Sequence, residues 1–141
     1  MTQAISKTLS PNDVGATGAH QAGMHIPKTG GVRAFFPQFD EGALNPRCAI
    51  TCRDATGKEW PFTFIYYNNR LFGGTRNEYR LTGMTAFVRA FGLRAGDTVV
   101  LRRLEKYGTA IDVVKRDPAV DTADGVLQLG SEWRIVPMRK G

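Results

Sequence analysis

The sequence predicts a mostly β (α+β) domain, a small barrel or mixed sheet of about seven short strands with two short helices. Three observations point there. Apolar and polar residues alternate over several short stretches, and Gly, Pro, Asn and Asp interrupt the chain between them. Only two short segments carry apolar residues at helical spacing. With 141 residues, 42% hydrophobic and 23% charged, the chain has the size and composition of one folded core, and residues 1–141 are read as a single domain.

Residues 4–9 alternate weakly and open as a strand. Residues 10–23, with Pro11, Asn12, Asp13 and three glycines, form a loop. Met24-His25-Ile26 returns as a short strand closed by Pro27. Residues 28–36 read as the first helix, with Val32, Phe35 and Phe36 inward and Pro37 as its stop. Residues 47–52 and 59–67 are two strands joined by a turn at residues 54–57. Residues 68–80 are polar and broken by glycine. Phe87, Val88 and Phe91 put the second helix at residues 85–91, with Gly92 placed to end it. Residues 98–104 form a strand that pairs with residues 110–114 across a turn at Tyr107-Gly108, and residues 134–136 close the sheet. Four strand steps separate Cys48 from Cys52 by ~13 Å, too far for a disulfide, so both are expected to be reduced and buried.

Nineteen Lys and Arg against thirteen Asp and Glu give a net charge of +6. Residues 1–67 carry six basic and five acidic groups, residues 68–103 seven and two, and residues 104–141 six and six. Nearly all the excess lies in the middle segment, whose seven cations are all arginines. The planar donor fork of arginine suits phosphates and guanine edges, which indicates an anionic partner.

Catalytic and cofactor motifs do not accompany that charge. Pro27 stands before Lys28-Thr29 where a phosphate-binding loop needs Gly, and Gly15-Ala-Thr-Gly18 lacks the dinucleotide-binding spacing. There is no Gly-x-Ser-x-Gly elbow, and no Asp or Glu is followed two residues later by Lys, as metal-dependent nucleases commonly require. His20 and His25 sit in a context unlike that of a zinc site with the two cysteines. No catalytic residue, metal or cofactor is therefore expected. The apolar runs are shorter than the ~18 residues of a spanning helix and the N-terminus lacks a secretory pattern, so the expectation is a cytoplasmic protein without membrane contact.

What remains are two polar arms. The first, about residues 10–25, offers small residues for close backbone approach, with His20, Gln21 and His25 as donors or acceptors for base edges. The second, about residues 68–80, contains Arg70, Thr75, Arg76, Asn77, Glu78 and Arg80. If residues 75–80 are extended, Arg76, Glu78 and Arg80 face one way over ~13 Å, the rise of roughly four base pairs. Arg forks onto guanine O6 and N7 and Glu accepts from cytosine N4. The competing reading is that Glu78 only pairs with its neighbouring arginines. Phe72 and Tyr79 are read as packing in the core rather than stacking on bases.

At these arms the chain resembles a known family. Leu9-Ser-Pro-Asn-Asp13-Val-Gly15-Ala-Thr-Gly18-Ala-His20-Gln21-Ala-Gly23-Met-His-Ile26-Pro27 and Ile65-Tyr-Tyr67-Asn-Asn-Arg70-Leu-Phe-Gly73-Gly-Thr75-Arg76-Asn77-Glu78-Tyr-Arg80 are similar to the two signature segments of the N-terminal DNA-binding domain of EcoRII-type restriction endonucleases. Gly83-Met-Thr-Ala-Phe87-Val-Arg-Ala-Phe91-Gly-Leu93-Arg-Ala-Gly96-Asp97-Thr-Val-Val-Leu101 also resembles a signature of the plant B-three DNA-binding domains. The resemblance implies a seven-stranded open pseudobarrel whose arms grip the major groove of double-stranded DNA at CC(A/T)GG. His20, His25, Arg70, Arg76, Glu78 and Arg80 match the contact positions. His25 stands where the family has Tyr, and Gly74 and Tyr79 stand where it has lysines.

By the same resemblance the chain is a targeting or effector module without chemistry of its own. The nuclease domain of the same polypeptide would follow the basic ending Met138-Arg-Lys-Gly141. A stand-alone transcriptional regulator on the same fold is the alternative. A small enzyme for phosphorylated metabolites is a third, and it requires the arms to meet over an enclosed pocket.

Overall fold

The computed structural model describes residues 4–15, 22–28, 31–39, 43–68, 73–104, 108–116 and 133–136. Its strands are β1 (Ala4–Thr8), β2 (Met24–Ile26), β3 (Arg47–Arg53), β4 (Glu59–Tyr67), β5 (Glu78–Thr82), β6 (Thr98–Arg103), β7 (Thr109–Val114) and β8 (Trp133–Ile135), with one helix, α1 (Thr85–Ala90). They form one sheet in the order β2-β5-β4-β3-β7-β6-β1-β8. Neighbours are antiparallel except β3 and β7, which meet in parallel at Cys52↔Thr109 and Arg53↔Ala110. Two four-stranded antiparallel halves thus join along one short parallel seam and curl into an open half-barrel. The expected mostly β pseudobarrel is what the chain forms, with one strand more than the seven expected. The addition is β5, whose first three residues fall in the segment read as a polar arm.

The strands form where side-chain alternation matches the pleat. In β4, Trp60, Phe62, Phe64 and Tyr66 point inward and are buried, and they meet the α1 side chain Phe87 and the β5 side chains Tyr79 and Leu81. Ile5, Met24, Ile26, Val99, Leu101 and Ile111 complete this lining. Each such side chain contributes about 1.5–3 kcal/mol by leaving water. Cys48, Ile50 and Cys52 share the inward face of β3, where both cysteines are free thiols and burial pushes Cys52 up to about 12.

The β3–β4 turn is built by Asp54. Its Oδ1 accepts hydrogen bonds from the Thr56 amide at 2.8 Å, the Thr56 hydroxyl at 2.6 Å and the Lys58 amide at 3.1 Å, and its Oδ2 accepts from Trp60 Nε1 at 2.9 Å. The helix expected at residues 85–91 is α1, ended by Gly92 at φ +57°, with the Leu93 amide returning to the Val88 carbonyl at 2.9 Å.

The helix expected at residues 28–36 is corrected to a 3₁₀ turn, Arg33–Phe35. Gly31 takes φ +85°, and Phe36, which precedes Pro37, is extended at ψ 161°. Between these fixed ends only one tight turn fits, although Val32, Phe35 and Phe36 are buried as expected. None of the helices among the described residues is long and apolar enough to cross a membrane.

Candidate nucleic-acid interface

The stem of the first arm is pinned to the barrel. Asp13 Oδ2 accepts from the Ser10 amide at 2.9 Å while Ser10 Oγ accepts from the Asp13 amide at 3.1 Å, and the Asp13 carbonyl accepts from the Gly23 amide at 2.9 Å. Lys7, on the inward face of β1, lies 2.5 Å from Asp13 Oδ2, and both side chains are buried. Burial lowers the pKa of Lys7, Asp13 opposes that shift by charge and hydrogen bond, and the nearby Arg80 adds to it. The arm therefore leaves and re-enters the fold at fixed points, and β2 carries it back onto β5 with His25 opposite Arg80.

The second arm ends on β5, where side chains alternate. Tyr79 and Leu81 face the core, and Tyr79 lies buried between the rings of Tyr66 and Phe64, at centroid distances of 4.3 and 5.7 Å. Packing in the core is thus its role, as expected. Glu78, Arg80 and Thr82 face the other way. Glu78 Oε1 accepts from Arg76 Nη2 at 2.8 Å and Nε at 3.1 Å. Its Oε2 lies 3.6 Å from Arg80 Nη1 and 3.9 Å from His25 Nε2. Burial works to raise the pKa of Glu78, but Arg76, Arg80 and His25 together outweigh it and hold the carboxyl below its usual range. His25 is lowered, first by burial and then by Arg80 and Lys7, against the opposing pull of Glu78 and Asp13.

His25, Arg76, Glu78 and Arg80, named from sequence, thus form one contiguous cluster. Arg76, Glu78 and Arg80 line a cleft of about 610 Å³ together with Asn12, Ala22 and Gly23 of the first arm. Thr75 is exposed on the approach to β5, and Asn77 turns instead toward Tyr66, whose hydroxyl is 2.6 Å from its Oδ1. His20, Gln21, Arg70 and Phe72 lie outside the described residues. Sequence reasoning missed Tyr67, which sits opposite Glu78 across β4 and β5 and places its ring beneath the guanidinium of Arg76, 3.6 Å away. It also missed the Lys7–Asp13 pair under the first arm. Pairings of this kind depend on strand register, which the sequence does not display.

A cluster of two arginines, one glutamate and one histidine on the outward face of β2 and β5 presents forked donors beside a single acceptor. Among the described residues no group of three His, Cys, Asp or Glu could hold a metal. The fold is a pseudobarrel of the B3-like class. The profile of the family described as restriction endonuclease EcoRII, N-terminal, matches residues 2–121, and the chain belongs to that family.

Individual relatives agree. The Type II restriction enzyme EcoRII of Escherichia coli is 38% identical over 112 residues, which cover 72% of this chain and 26% of that enzyme. The B3 domain-containing transcription repressor VAL1 of Arabidopsis thaliana is 32% identical over 107 residues, 76% of this chain and 12% of the repressor. The chain therefore spans about a quarter of the length of the EcoRII enzyme and about an eighth of that of the repressor. Among solved structures, the Arabidopsis FUS3–DNA complex shares the fold at a TM-score of 0.62 and 24% identity, covering 79% of this chain and 96% of that one.

Proposed function

We propose that the chain binds double-stranded DNA site-specifically in the major groove through its two arms, at CC(A/T)GG, as the targeting or effector module of a type II restriction endonuclease. The observation that carries this reading is that Glu78 gathers Arg76, Arg80 and, from the first arm, His25 into one cluster, and that Arg76, Glu78 and Arg80 line one cleft with Asn12, Ala22 and Gly23 of the first arm. Family membership and a relative that is itself a Type II restriction enzyme support it. Arg76 and Arg80 supply forks for guanine, Glu78 supplies the acceptor for a cytosine amine, and His25 adds a donor from β2. His20, Gln21, Arg70, Thr75 and Asn77 complete the proposed contact set. The chain performs no hydrolysis itself, and the nuclease domain belongs to another part of the same polypeptide.

Selection from a random pool of duplexes, followed by affinity measurement on the winner and on a scrambled duplex, tests the proposal. Arg76→Ala is expected to cost roughly 1–3 kcal/mol on the selected duplex and far less on the scrambled one. Glu78→Ala should tighten scrambled-duplex binding and relax discrimination at a cytosine. Affinity should fall with salt at a log–log slope of about −0.9 per neutralised phosphate. Equal affinity for all duplexes would overturn the reading.

A stand-alone transcriptional regulator is the second reading, favoured by the similarity to the plant repressor. Finding a nuclease domain in the full reading frame would exclude it.

A further inference from the structure

Arg76 is held in a geometry more specific than an ion pair. Its Nε and Nη2 both point at Glu78 Oε1, so the side edge of the guanidinium is occupied by the carboxylate. Its flat face rests on Tyr67, with 3.6 Å from the guanidinium carbon to the ring centroid. Tyr67 and Glu78 are direct cross-strand partners at the ends of β4 and β5, so the platform and the clamp are fixed to each other by the sheet. A guanidinium is planar, with three edges in one plane. Fixing its face and its side edge therefore determines where the end edge, formed by Nη1 and the second N–H of Nη2, points: away from Glu78. That end edge is the fork that matches guanine O6 and N7.

We propose that Tyr67 is a specificity-determining positioning residue, a π platform that together with Glu78 Oε1 locks the plane of Arg76 so that its end edge is presented preformed to a guanine. The inference rests on the DNA-binding reading given above and adds to it a residue that touches Arg76 rather than a base. Glu78 then has two separate tasks. Oε1 orients Arg76, while Oε2, whose neighbours Arg80 and His25 lie at 3.6 and 3.9 Å, is the oxygen left to accept from a cytosine amine. An unrestrained arginine would satisfy a phosphate as readily as a base and would lose more side-chain freedom on ordering. The platform removes that freedom before DNA arrives, so its effect should fall on the specific complex and spare the non-specific one.

The test compares Tyr67→Phe, Tyr67→Leu and Arg76→Ala, alone and with each Tyr67 change placed in the Arg76→Ala background, on the selected and the scrambled duplex. Tyr67→Phe keeps the ring and should bind both duplexes within about twofold of the parent. Tyr67→Leu should lose about tenfold on the selected duplex and less than twofold on the scrambled one. In the Arg76→Ala background Tyr67→Leu should have no further effect, because the platform then holds nothing. Unchanged discrimination by Tyr67→Leu, or an equal loss in both backgrounds, would overturn the proposal.

Should Tyr67→Leu fail to fold, the parent protein decides: NMR of its Arg76 guanidinium protons should show ring-current shielding that Tyr67→Phe preserves, and resonances at ordinary positions would refute stacking. If the parent binds all duplexes alike, the DNA-binding reading has failed. If the parent discriminates and Tyr67→Leu does as well, only the platform has failed.

Discussion

Trp133 Nε1 donates a hydrogen bond to the main-chain carbonyl of His25 at 2.7 Å. The two residues belong to β8 and β2, the opposite ends of the sheet order, so this bond draws the free edges of the half-barrel toward each other. The Trp133 ring also packs against the core and lies beside the Lys7 ammonium, 5.7 Å from its centroid. One side chain near the C-terminus thereby touches both the strand that carries His25 and the lysine that anchors the first arm. Trp133→Phe keeps the packing and removes the donor. It should cost about 1 kcal/mol of stability, read as a lower urea midpoint at unchanged m-value.

Asp13→Ala would strand the buried ammonium of Lys7 without its counter-charge. A loss of about 3–5 kcal/mol is expected, and Lys7→Met added to it should recover most of the stability. Thermal denaturation of the two single variants and the double variant checks this, and a double variant no more stable than Asp13→Ala would contradict it.

Gly23 sits where the first arm rejoins the sheet, and a Cβ there would lie 2.8 Å from the Leu81 carbonyl oxygen. Because the obstacle is backbone, it cannot rotate aside. Gly23→Ala should destabilise by about 1–3 kcal/mol and weaken binding to the selected duplex, whereas Gly57→Ala, with open space around it but φ +92°, should affect stability alone. Chemical denaturation and titration of labelled duplex separate the two.

Acid stability should carry the signature of Asp54. The Thr56 hydroxyl, then Trp60 Nε1, hold its carboxyl at about 2, below the ordinary 3.8. A depressed carboxylate contributes stability that is complete above 3.8 and is lost as pH falls through the folded value. The stability gap between the parent and Asp54→Asn should accordingly be constant at neutral pH and shrink between about pH 4 and pH 2. A gap that does not vary with pH would show that the turn does not need the charge.

His25 should make DNA affinity depend on pH in the opposite sense to its effect on stability. Its pKa in the free protein is lowered from 6.5, first by burial and then by Arg80 and Lys7, while Glu78 and Asp13 oppose the shift. The neutral form is thus favoured on folding, and its contribution to stability is full above 6.5 and declines as pH falls through the lowered value. Phosphates brought close by binding favour the protonated form, so affinity should rise as pH falls from about 7.5 to 5.5. Titrations with His25→Asn should show a flatter profile, and an identical profile would place His25 away from the DNA.

Much of this arrangement is visible in the sequence. The alternation in β4, the Asp54 turn and the Phe87-Val88 face of α1 are local patterns set by side-chain periodicity and turn chemistry, and they appear where expected. The run of arginines and the lone Glu78 among them also mark the second arm without any structure. Residues 28–36 look helical in sequence because apolar spacing at Val32, Phe35 and Phe36 fits a helix as well as a tight turn. Only the φ of Gly31 and the extended Phe36 before Pro37 separate the two. β5 was partly hidden because half of it is polar, and a strand with one face in solvent looks like a loop when its partner strands are unknown.

The sequence by itself determined the fold class, the charge of the second arm and the identity of four of the clustered side chains, since each follows from residue type and near-neighbour spacing. Tertiary structure alone decided that Tyr67 lies under Arg76, that Asn77 faces Tyr66, that Lys7 is buried against Asp13, and that Trp133 reaches His25. The reason is physical. Those contacts depend on strand register and sheet curvature, and a one-residue slip in register would turn every side chain of β5 to the other face.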